Sequence, residues 1–276
     1  MPFDELAQAA AQGAEGVTQS SSNLPFTIPT LPPEVLWQWG PLGFTNTSLF
    51  TWLVMVVLIV LSILATRRLK EVPAARSWQT FAEVVINALL NLAEGAVGRT
   101  RAREIFPLMA TLFVFILSAN WLGLLPLGGI FLVRGDEHVD LFRSVNADWS
   151  NTLALALVTF VVTEFWGLRH RAGEHLMHFV KPIGVGQIEL VSEFVRILSL
   201  SVRLFGNLFA GEVLVTVMTG LTKLVIPSVF LVLETLFGFI QAVVFTVLCL
   251  AYFTLNTTSH HVEHDEEENP VHATAA

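Results

Sequence analysis

Several stretches of this chain are too long and too apolar to belong to a soluble domain. Leu49 to Thr66 carries no charge, and neither does the longer run from Ile105 to Val133. A segment of ~20 apolar residues can cross the ~30 Å hydrocarbon core of a bilayer as a helix. The composition agrees, because 53% of the residues are hydrophobic and only 14% are charged. The sequence therefore predicts an all-α, polytopic membrane protein.

Two further segments extend this pattern. Asn151 to Leu168 is interrupted only by Glu164, and Ser228 to Asn256 carries Glu234 and Gln241, which are seven positions apart and thus share a helix face. Ser77 to Val97 differs, since its apolar residues recur at helical spacing among polar ones. It is predicted to be an amphipathic helix that lies on the membrane or against neighbouring helices.

The segment from Glu189 to Glu212 is also predicted to be a membrane helix, yet it contains five charged residues: Glu189, Glu193, Arg196, Arg203 and Glu212. Its two ends are ~34 Å apart along a helix axis, about the thickness of the bilayer core. A charge at that depth costs from ~2.5 to more than ~10 kcal/mol, so it is retained where it lines an aqueous path or meets a partner. An ion pathway is therefore the first hypothesis.

The angular positions on this helix favour a discontinuous polar route. At ~100° per residue, all of these charges except Glu212 lie within about 80° of one another and of Asn207, whereas Glu212 lies about 140° from Glu189. An alternative for Glu189, Glu193 and Arg196 is that they are ordinary interfacial charges, with Glu193 and Arg196 paired at i,i+3 spacing. That alternative fits Arg203 poorly, because it is too far from either end of the helix to reach the headgroups.

The distribution of basic residues predicts the orientation. Seven of the 15 Lys and Arg residues lie between Arg67 and Arg103, and three more lie between Arg169 and Lys181. The positive-inside rule places both segments and the C-terminus in the cytoplasm and the N-terminus outside. We expect an extracytoplasmic, irregular segment over 1–48, a helical membrane domain over 49–256, and an acidic cytoplasmic tail over 257–276.

Other functional classes lack support in the sequence. The single cysteine, Cys249, excludes a disulfide framework, and no basic patch interleaved with exposed aromatic residues indicates nucleic-acid binding. No nucleotide-binding loop or catalytic triad is present, so we expect no cofactor and no nucleotide bound by this chain. The connection after Leu168 contains histidines, but their spacing fits no standard zinc site, so a solvated loop and no metal are predicted. They are His170, His175 and His178.

At VRLFGNLFAGE, residues 202–212, the chain resembles subunit a of the F-type ATP synthase, the stator subunit that faces the rotor ring. The resemblance extends to IELVSEFVR (188–196), to FPLMATLFVFILSANWLGLLP (106–126) and to QAVVFTVLCLAYF from Gln241, and covers roughly residues 45 to 256. It implies that Arg203 is the essential arginine of the family, past which each rotor carboxylate moves. A guanidinium stays charged, so it makes a passing carboxyl group release its proton and blocks direct proton transfer between two half-channels.

The resemblance also assigns the remaining site residues. It implies that Asn207, Glu212, Glu234 and Gln241 belong to the outer half-channel and its neighbours, and that Glu189 and Ser192 belong to the inner one. Glu193 and Arg196, on the polar stripe of the same helix, are further candidates for proton translocation. Some members of the family have His at the position of Glu234, so here two carboxylates would face one another, which suits a proton relay. Many members have Pro where this chain has Ile197, which leaves the local geometry of Arg196 open. The implied partners are the rotor ring of subunit c, the peripheral-stalk subunit b and the lipid bilayer, with the last two helices tilted around the ring.

Two other functions compete with an ion-translocating stator subunit in a bacterial inner membrane. A proton-coupled secondary transporter would bind its substrate near Arg203, although the internal repeat common in transporters is absent. A purely structural membrane subunit would have little use for charges within its helices. The sequence leaves open the size of the rotor ring and whether the ion is a proton or Na⁺, which depends chiefly on the rotor.

Overall fold

The structure is a computed structural model of the chain. It describes residues 35–39, 42–67, 78–125, 131–134, 137–140, 143–180, 185–222 and 225–257. The elements in chain order are β1 (Val35–Trp39), β2 (Leu42–Thr45), α1 (Asn46–Thr66), α2 (Trp78–Gly123), β3 (Phe131–Arg134), β4 (Glu137–Asp140), a 3₁₀ turn (Val145–Ala147), α3 (Trp149–Val180), α4 (Val185–Leu221) and α5 (Val225–Thr257). The five α-helices are each long and apolar enough to span a membrane. The predicted polytopic helical architecture is confirmed.

Two short hairpins lie outside this helical pattern. β1 and β2 pair antiparallel, with Trp37 opposite Phe44, in a segment that was predicted to be irregular. The segment VLWQW is rich in Val and Trp, which favour strands, and Gly40-Pro41 follows it; this is the strand-and-turn signal that the prediction overlooked. β3 and β4 also pair antiparallel, with Phe131 opposite Asp140, so the last residues of the uncharged run from Ile105 to Val133 belong to a strand.

Helix α2 combines two segments that the sequence separates. The predicted amphipathic helix over Ser77 to Val97 and the apolar run from Ile105 are continuous except at Gly98, which has φ 77° and ψ 163°. A positive φ is accessible to glycine because it has no Cβ, so the chain can change direction here without strain. The second part ends at Gly123, shortly before Pro126 and Gly128-Gly129, which are residues typical of turns after a helix.

Helix α3 is longer than predicted. It begins at Trp149 and continues to Val180, so the His-bearing segment after Leu168, predicted to be a loop, is helical. That prediction was wrong because His, Arg and Glu are compatible with a helix once an apolar segment has nucleated it. The side chains of His170, His175 and His178 lie outside the described residues, as does the tail from residue 258.

The core lies where α3, α4 and α5 pack around the second part of α2. Its largest fully buried side chains include Ile105, Met109, Leu204, Phe245 and Phe253. Small residues, among them Ala102, Ala156 and Ala242, are also fully buried and let the helices approach closely. In lipid, this packing and the interhelical hydrogen bonds supply the association energy, because hydrocarbon tails are as apolar as leucine.

Helix α1 is peripheral and is fastened at one end. The hydroxyl oxygen of Thr45 caps the helix by accepting from the backbone N–H of Ser48 at 3.2 Å. The hydroxyl of Thr47 donates to Asp148 Oδ2 at 2.8 Å, and Phe50 and Val54 pack against Ala119 and Val145. The rest of α1 is largely exposed, as expected for a helix that contacts lipid.

Candidate ion-translocation site

Glu212 on α4 and Glu234 on α5 line one cavity of about 200 Å³. Both side chains are half-buried. Asn120 of α2 and Arg143 and Ser144, which precede the 3₁₀ turn, complete its polar wall. The structure thus brings together two carboxylates that lie on different helices. A cavity needs only ~10–15 Å³ to hold one water molecule, so there is room for several around them.

The two helices approach each other closely at Gly211. A Cβ atom added at this position would lie 2.5 Å from Glu234 Oε1 and 2.8 Å from Glu234 Cδ. Separations under ~3 Å between a Cβ and a heavy atom require a displacement, so a side chain here would compete with the carboxylate for space. Gly211 therefore permits Glu234 to lie directly against α4, one residue from Glu212.

Arg143 provides a cation at the same cavity. Its side chain is only 8% exposed, and its Nε lies 3.9 Å from Glu212 Oε1. Arg143 was not among the residues predicted to belong to the site. A signal was present in its neighbourhood, where RSVNAD places Arg, Asn and Asp immediately before a membrane helix.

A buried hydrogen-bond network holds Asn120, which lines the cavity. The Asn146 side-chain amide donates to Asn120 Oδ1 at 2.6 Å, and the Asn120 amide donates to the Gly238 carbonyl at 3.0 Å. A Cβ at Gly238 would lie 3.0 Å from Asn120 Cβ. The absence of a side chain at Gly238 therefore leaves room for the Asn120 side chain. The network joins α2, α5 and the turn before α3 behind the carboxylates.

Gln241 lies one turn beyond Gly238 on the same buried face. Its side chain is 7% exposed, and its amide nitrogen has no hydrogen-bond partner among the described residues. A buried donor of this kind normally bonds to protein or ordered water. The predicted placement of Glu234 and Gln241 on one face of α5 agrees with their partial and full burial, respectively.

Arg203 stands midway along α4 with an exposed side chain. Its neighbours Leu200, Ser201 and Leu204 are buried, and the Ser201 hydroxyl lies 3.2 Å from the hydroxyl of Thr152 on α3. These residues anchor α4 in the bundle, while Arg203 itself stays exposed. No carboxylate among the described residues forms an ion pair with Arg203, and the half-buried Asn207 follows it one turn later.

Glu193 and Arg196 form a local pair nearer the beginning of α4. Arg196 Nη1 lies 2.7 Å from Glu193 Oε1, and the guanidinium carbon lies 4.5 Å from the centre of the Tyr252 ring on α5. The i,i+3 ion pair considered in the alternative is therefore present. The helix continues without a break through Ile197, which packs against the core.

The remaining predicted residues of this end are described less fully. Ser192 is exposed on α4, and Glu189 belongs to the same helix, although its side chain lies outside the described residues. Glu164 on α3 accepts a 2.6 Å hydrogen bond from the amide of Asn256 on α5. The sequence analysis noted Glu164 only as an interruption in an apolar run, which was itself the signal of a partnered acid.

Comparisons with known proteins show the family of this chain. A family profile described as ATP synthase A chain matches residues 48–254. The chain belongs to the ATP synthase A chain family. An ATP synthase subunit a from Gloeobacter violaceus is 35% identical over 232 residues, which cover 84% of this chain and 92% of the relative.

Two other relatives show the same extent of similarity. An ATP synthase subunit a from Geobacter sp. (strain M21) is 35% identical over 77% of this chain and 89% of its own length. ATP synthase subunit a 1 from Crocosphaera subtropica is 32% identical over 79% of this chain and 89% of its own length. The resemblance deduced from the motif around Arg203 is thereby confirmed.

Proposed function

We propose that this chain is the proton-conducting stator subunit in the membrane sector of an F-type ATP synthase. The observation that carries the proposal is the arrangement along α4. The cavity that contains Glu212 lies toward one end, and the ion pair of Glu193 and Arg196 lies toward the other. The exposed Arg203 stands midway between them. Membership of the ATP synthase A chain family supports this assignment.

In the proposed mechanism, protons enter through the outer cavity. Glu234 and Glu212 receive them from water in the cavity and pass them toward a rotor carboxylate. Gln241 and Asn207 lie on α5 and α4, the two helices that carry these acids, and offer amide groups that can hydrogen-bond to water along the route. A protonated, neutral rotor carboxyl group can then move away from the stator into lipid at low electrostatic cost.

Arg203 separates the two half-channels. A returning rotor carboxyl group releases its proton before it passes the guanidinium, because the fixed cation stabilises the carboxylate. The exposed position of Arg203 supports this role, since a rotor subunit outside the chain needs direct access to it. Each proton that crosses gains ~2.3 kcal/mol per 100 mV, and rotation transmits this energy to ATP synthesis in another part of the complex.

The released proton leaves at the inner end of α4. Glu189 and Ser192 belong to the beginning of this helix and are proposed to line the exit. Glu193 pairs with Arg196, and the Arg196 guanidinium lies over the ring of Tyr252, which joins α4 and α5 beside it. Glu164 and Asn256 join α3 to the end of α5.

The proposed partners fit the exposed surfaces. Helices α4 and α5 expose large apolar side chains that a ring of subunit c would cover, including Val195, Val202, Leu236 and Phe237. The first part of α2 exposes Phe81 and Val84, which suit the membrane helix of the peripheral-stalk subunit b or the bilayer surface. The proposed location is a bacterial inner membrane, with the N-terminus outside and the C-terminus in the cytoplasm. The chain itself is proposed to be non-catalytic.

The deciding experiment compares native Arg203 with Arg203→Lys in inverted vesicles that contain the whole complex. Lysine keeps a charge, but it can lose its proton and lacks the planar fork of arginine. We expect ATP-driven acidification in native vesicles and none in the variant, with assembly unchanged. Arg99→Lys is the matched control, because Arg99 is exposed and paired with Glu94 on α2. Normal pumping by Arg203→Lys would refute the proposed role of Arg203.

A proton-coupled secondary transporter remains the competing function, and the same preparation tests it. A transporter would move its substrate when this chain is reconstituted alone. The stator subunit requires the rotor ring, so we expect no transport by the isolated chain and pumping only by the complete complex.

A further inference from the structure

The segment that carries Arg143 is firmly anchored in the bundle. Val145, Asn146 and Ala147 are fully buried, and Asp148 is 5% exposed. Asp148 accepts from Thr47 on α1, Asn146 donates to Asn120 on α2, and a Cβ at Gly123 would lie 2.8 Å from Ser144 Oγ. Contacts to two helices thus fix the backbone immediately after the arginine. The side chain is held in place by the fold.

The anchored arginine lies beside one carboxylate of a pair. Its Nε is 3.9 Å from Glu212 Oε1, and it lines the same cavity as Glu234. Two carboxylates and one guanidinium leave this cavity with one formal negative charge when all three are ionised. Without the guanidinium, the formal charge would be two negative units.

Such a pair of carboxylates would be attractive to metal cations. Hard cations such as Ca²⁺ bind carboxylate, hydroxyl and water oxygens, and Ser144 and Thr216 contribute hydroxyl groups to the cavity wall. A cation held there would occupy the space through which protons reach Glu234. A fixed guanidinium opposes this by supplying positive charge that cannot be removed by deprotonation.

We infer that Arg143 is a positioning residue that orients Glu212 and excludes metal cations from the outer carboxylate cavity, so that the cavity admits protons selectively. The inference rests on the proposed function, since it assigns the cavity to the proton route. It differs from the role of Arg203, which is exposed and stands midway along α4. Arg143 acts within the chain, whereas Arg203 acts on the rotor.

The test uses inverted vesicles that contain the whole complex and enclose Ca²⁺ in the lumen, away from ATP and Mg²⁺. ATP-driven acidification is measured over a series of enclosed Ca²⁺ concentrations for native protein, Arg143→Gln, Arg143→Lys and the surface control Arg99→Gln. We expect half-inhibition of Arg143→Gln at a Ca²⁺ concentration at least ~10-fold lower than for native protein, because a unit charge ~4 Å away has been removed. Arg143→Lys and Arg99→Gln should keep the native sensitivity.

Two results would overturn the inference. One is native Ca²⁺ sensitivity in Arg143→Gln, and the other is equal sensitisation by Arg143→Lys, which retains the charge. If Arg143→Gln does not assemble, assembly of the double variant Arg143→Gln/Glu212→Gln decides. Recovery would show that Arg143 compensates Glu212, as inferred, whereas continued failure would show that it only packs the turn and would overturn the inference.

A further variant separates this inference from the proposed function. Glu212→Gln should abolish pumping if the cavity is on the proton route. If it pumps normally, the proposed outer route itself is wrong. If it does not pump, and Arg143→Gln responds to Ca²⁺ as native protein does, only the role of Arg143 is refuted.

Discussion

Acids and an arginine meet near each end of α4, but the two groups are built differently. Glu193 and Arg196 are one helical turn apart and contact each other at 2.7 Å, with Tyr252 covering the guanidinium. Glu212 meets a cation from a distant segment, Arg143, across a cavity of about 200 Å³ that also contains Glu234. One end is a closed local pair, and the other is an open site built from several elements.

This difference indicates at which end of α4 a mutation should impair proton transfer most. Glu193 and Arg196 already pair with each other, so they mainly join α4 to α5 and should contribute little to proton transfer. Acids around a cavity can exchange protons with water and with each other. We therefore expect changes at the Glu212 end of α4 to impair proton movement most.

The largest expected effect comes from neutralising one acid at each end. Glu212→Gln should reduce ATP-driven proton pumping at least ~100-fold, the scale on which a positioned proton donor or acceptor contributes. Glu193→Gln should reduce it much less, because its partner Arg196 keeps the contact with Tyr252. The measurement is acidification of inverted vesicles at equal amounts of assembled complex. Equal losses in the two variants would abolish the distinction between the ends.

The next effect concerns the close approach of α4 and α5. In Gly211→Ala the new methyl group would occupy a position 2.5 Å from Glu234 Oε1, so the carboxylate must move. A displacement of ~1 Å at a reacting group can cost up to ~100-fold, and we expect a loss of about tenfold in pumping with assembly retained. Gly95→Ala is the control, since a Cβ there meets nothing within 4 Å. Native pumping by Gly211→Ala would show that the position of Glu234 is not critical.

A smaller effect, on stability, is expected from the network behind the cavity. Asn120→Ala removes two buried hydrogen bonds and leaves the Gly238 carbonyl and the Asn146 amide without that partner. The cost should be ~1–3 kcal/mol, measured as a lower temperature for loss of assembled complex. Thr111→Val on the same helix loses only a local bond to the Pro107 carbonyl and should change stability by less than ~0.5 kcal/mol. Similar shifts in both variants would contradict a special role for Asn120.

The smallest effect is expected at the ion pair of Glu193 and Arg196. Arg196→Lys keeps the charge beside Glu193 and the cation over Tyr252, so pumping should fall by less than ~5-fold, corresponding to about 1 kcal/mol. The assay is the one used for Glu212→Gln. A loss as large as that of Glu212→Gln would mean that Arg196 conducts protons directly, and the inner end would then resemble the outer one.

Local patterns in the sequence were sufficient for much of this organisation. The apolar runs predicted the membrane helices, because length and hydropathy act on each segment independently of its neighbours. The spacing of Glu193 and Arg196 placed them in contact, since residues three apart share a helix face. The same periodicity placed Arg203 within a membrane helix and away from its ends. The hairpins and the extension of α3 were missed because short or polar segments carry weaker periodic signals.

Contacts between distant segments were decided only by the tertiary structure. The pair formed by Glu164 and Asn256 joins residues 92 positions apart, and the bond from Asn120 to Gly238 spans 118. Arg143 appeared in the sequence as a loop charge, and only the anchoring of its turn to α1 and α2 brings it to Glu212. The sequence by itself determined which helices cross the membrane and which charges they carry, because helix periodicity is local. Which of those charges face one another depends on how the helices pack, and packing is settled by the shapes of all the helices together.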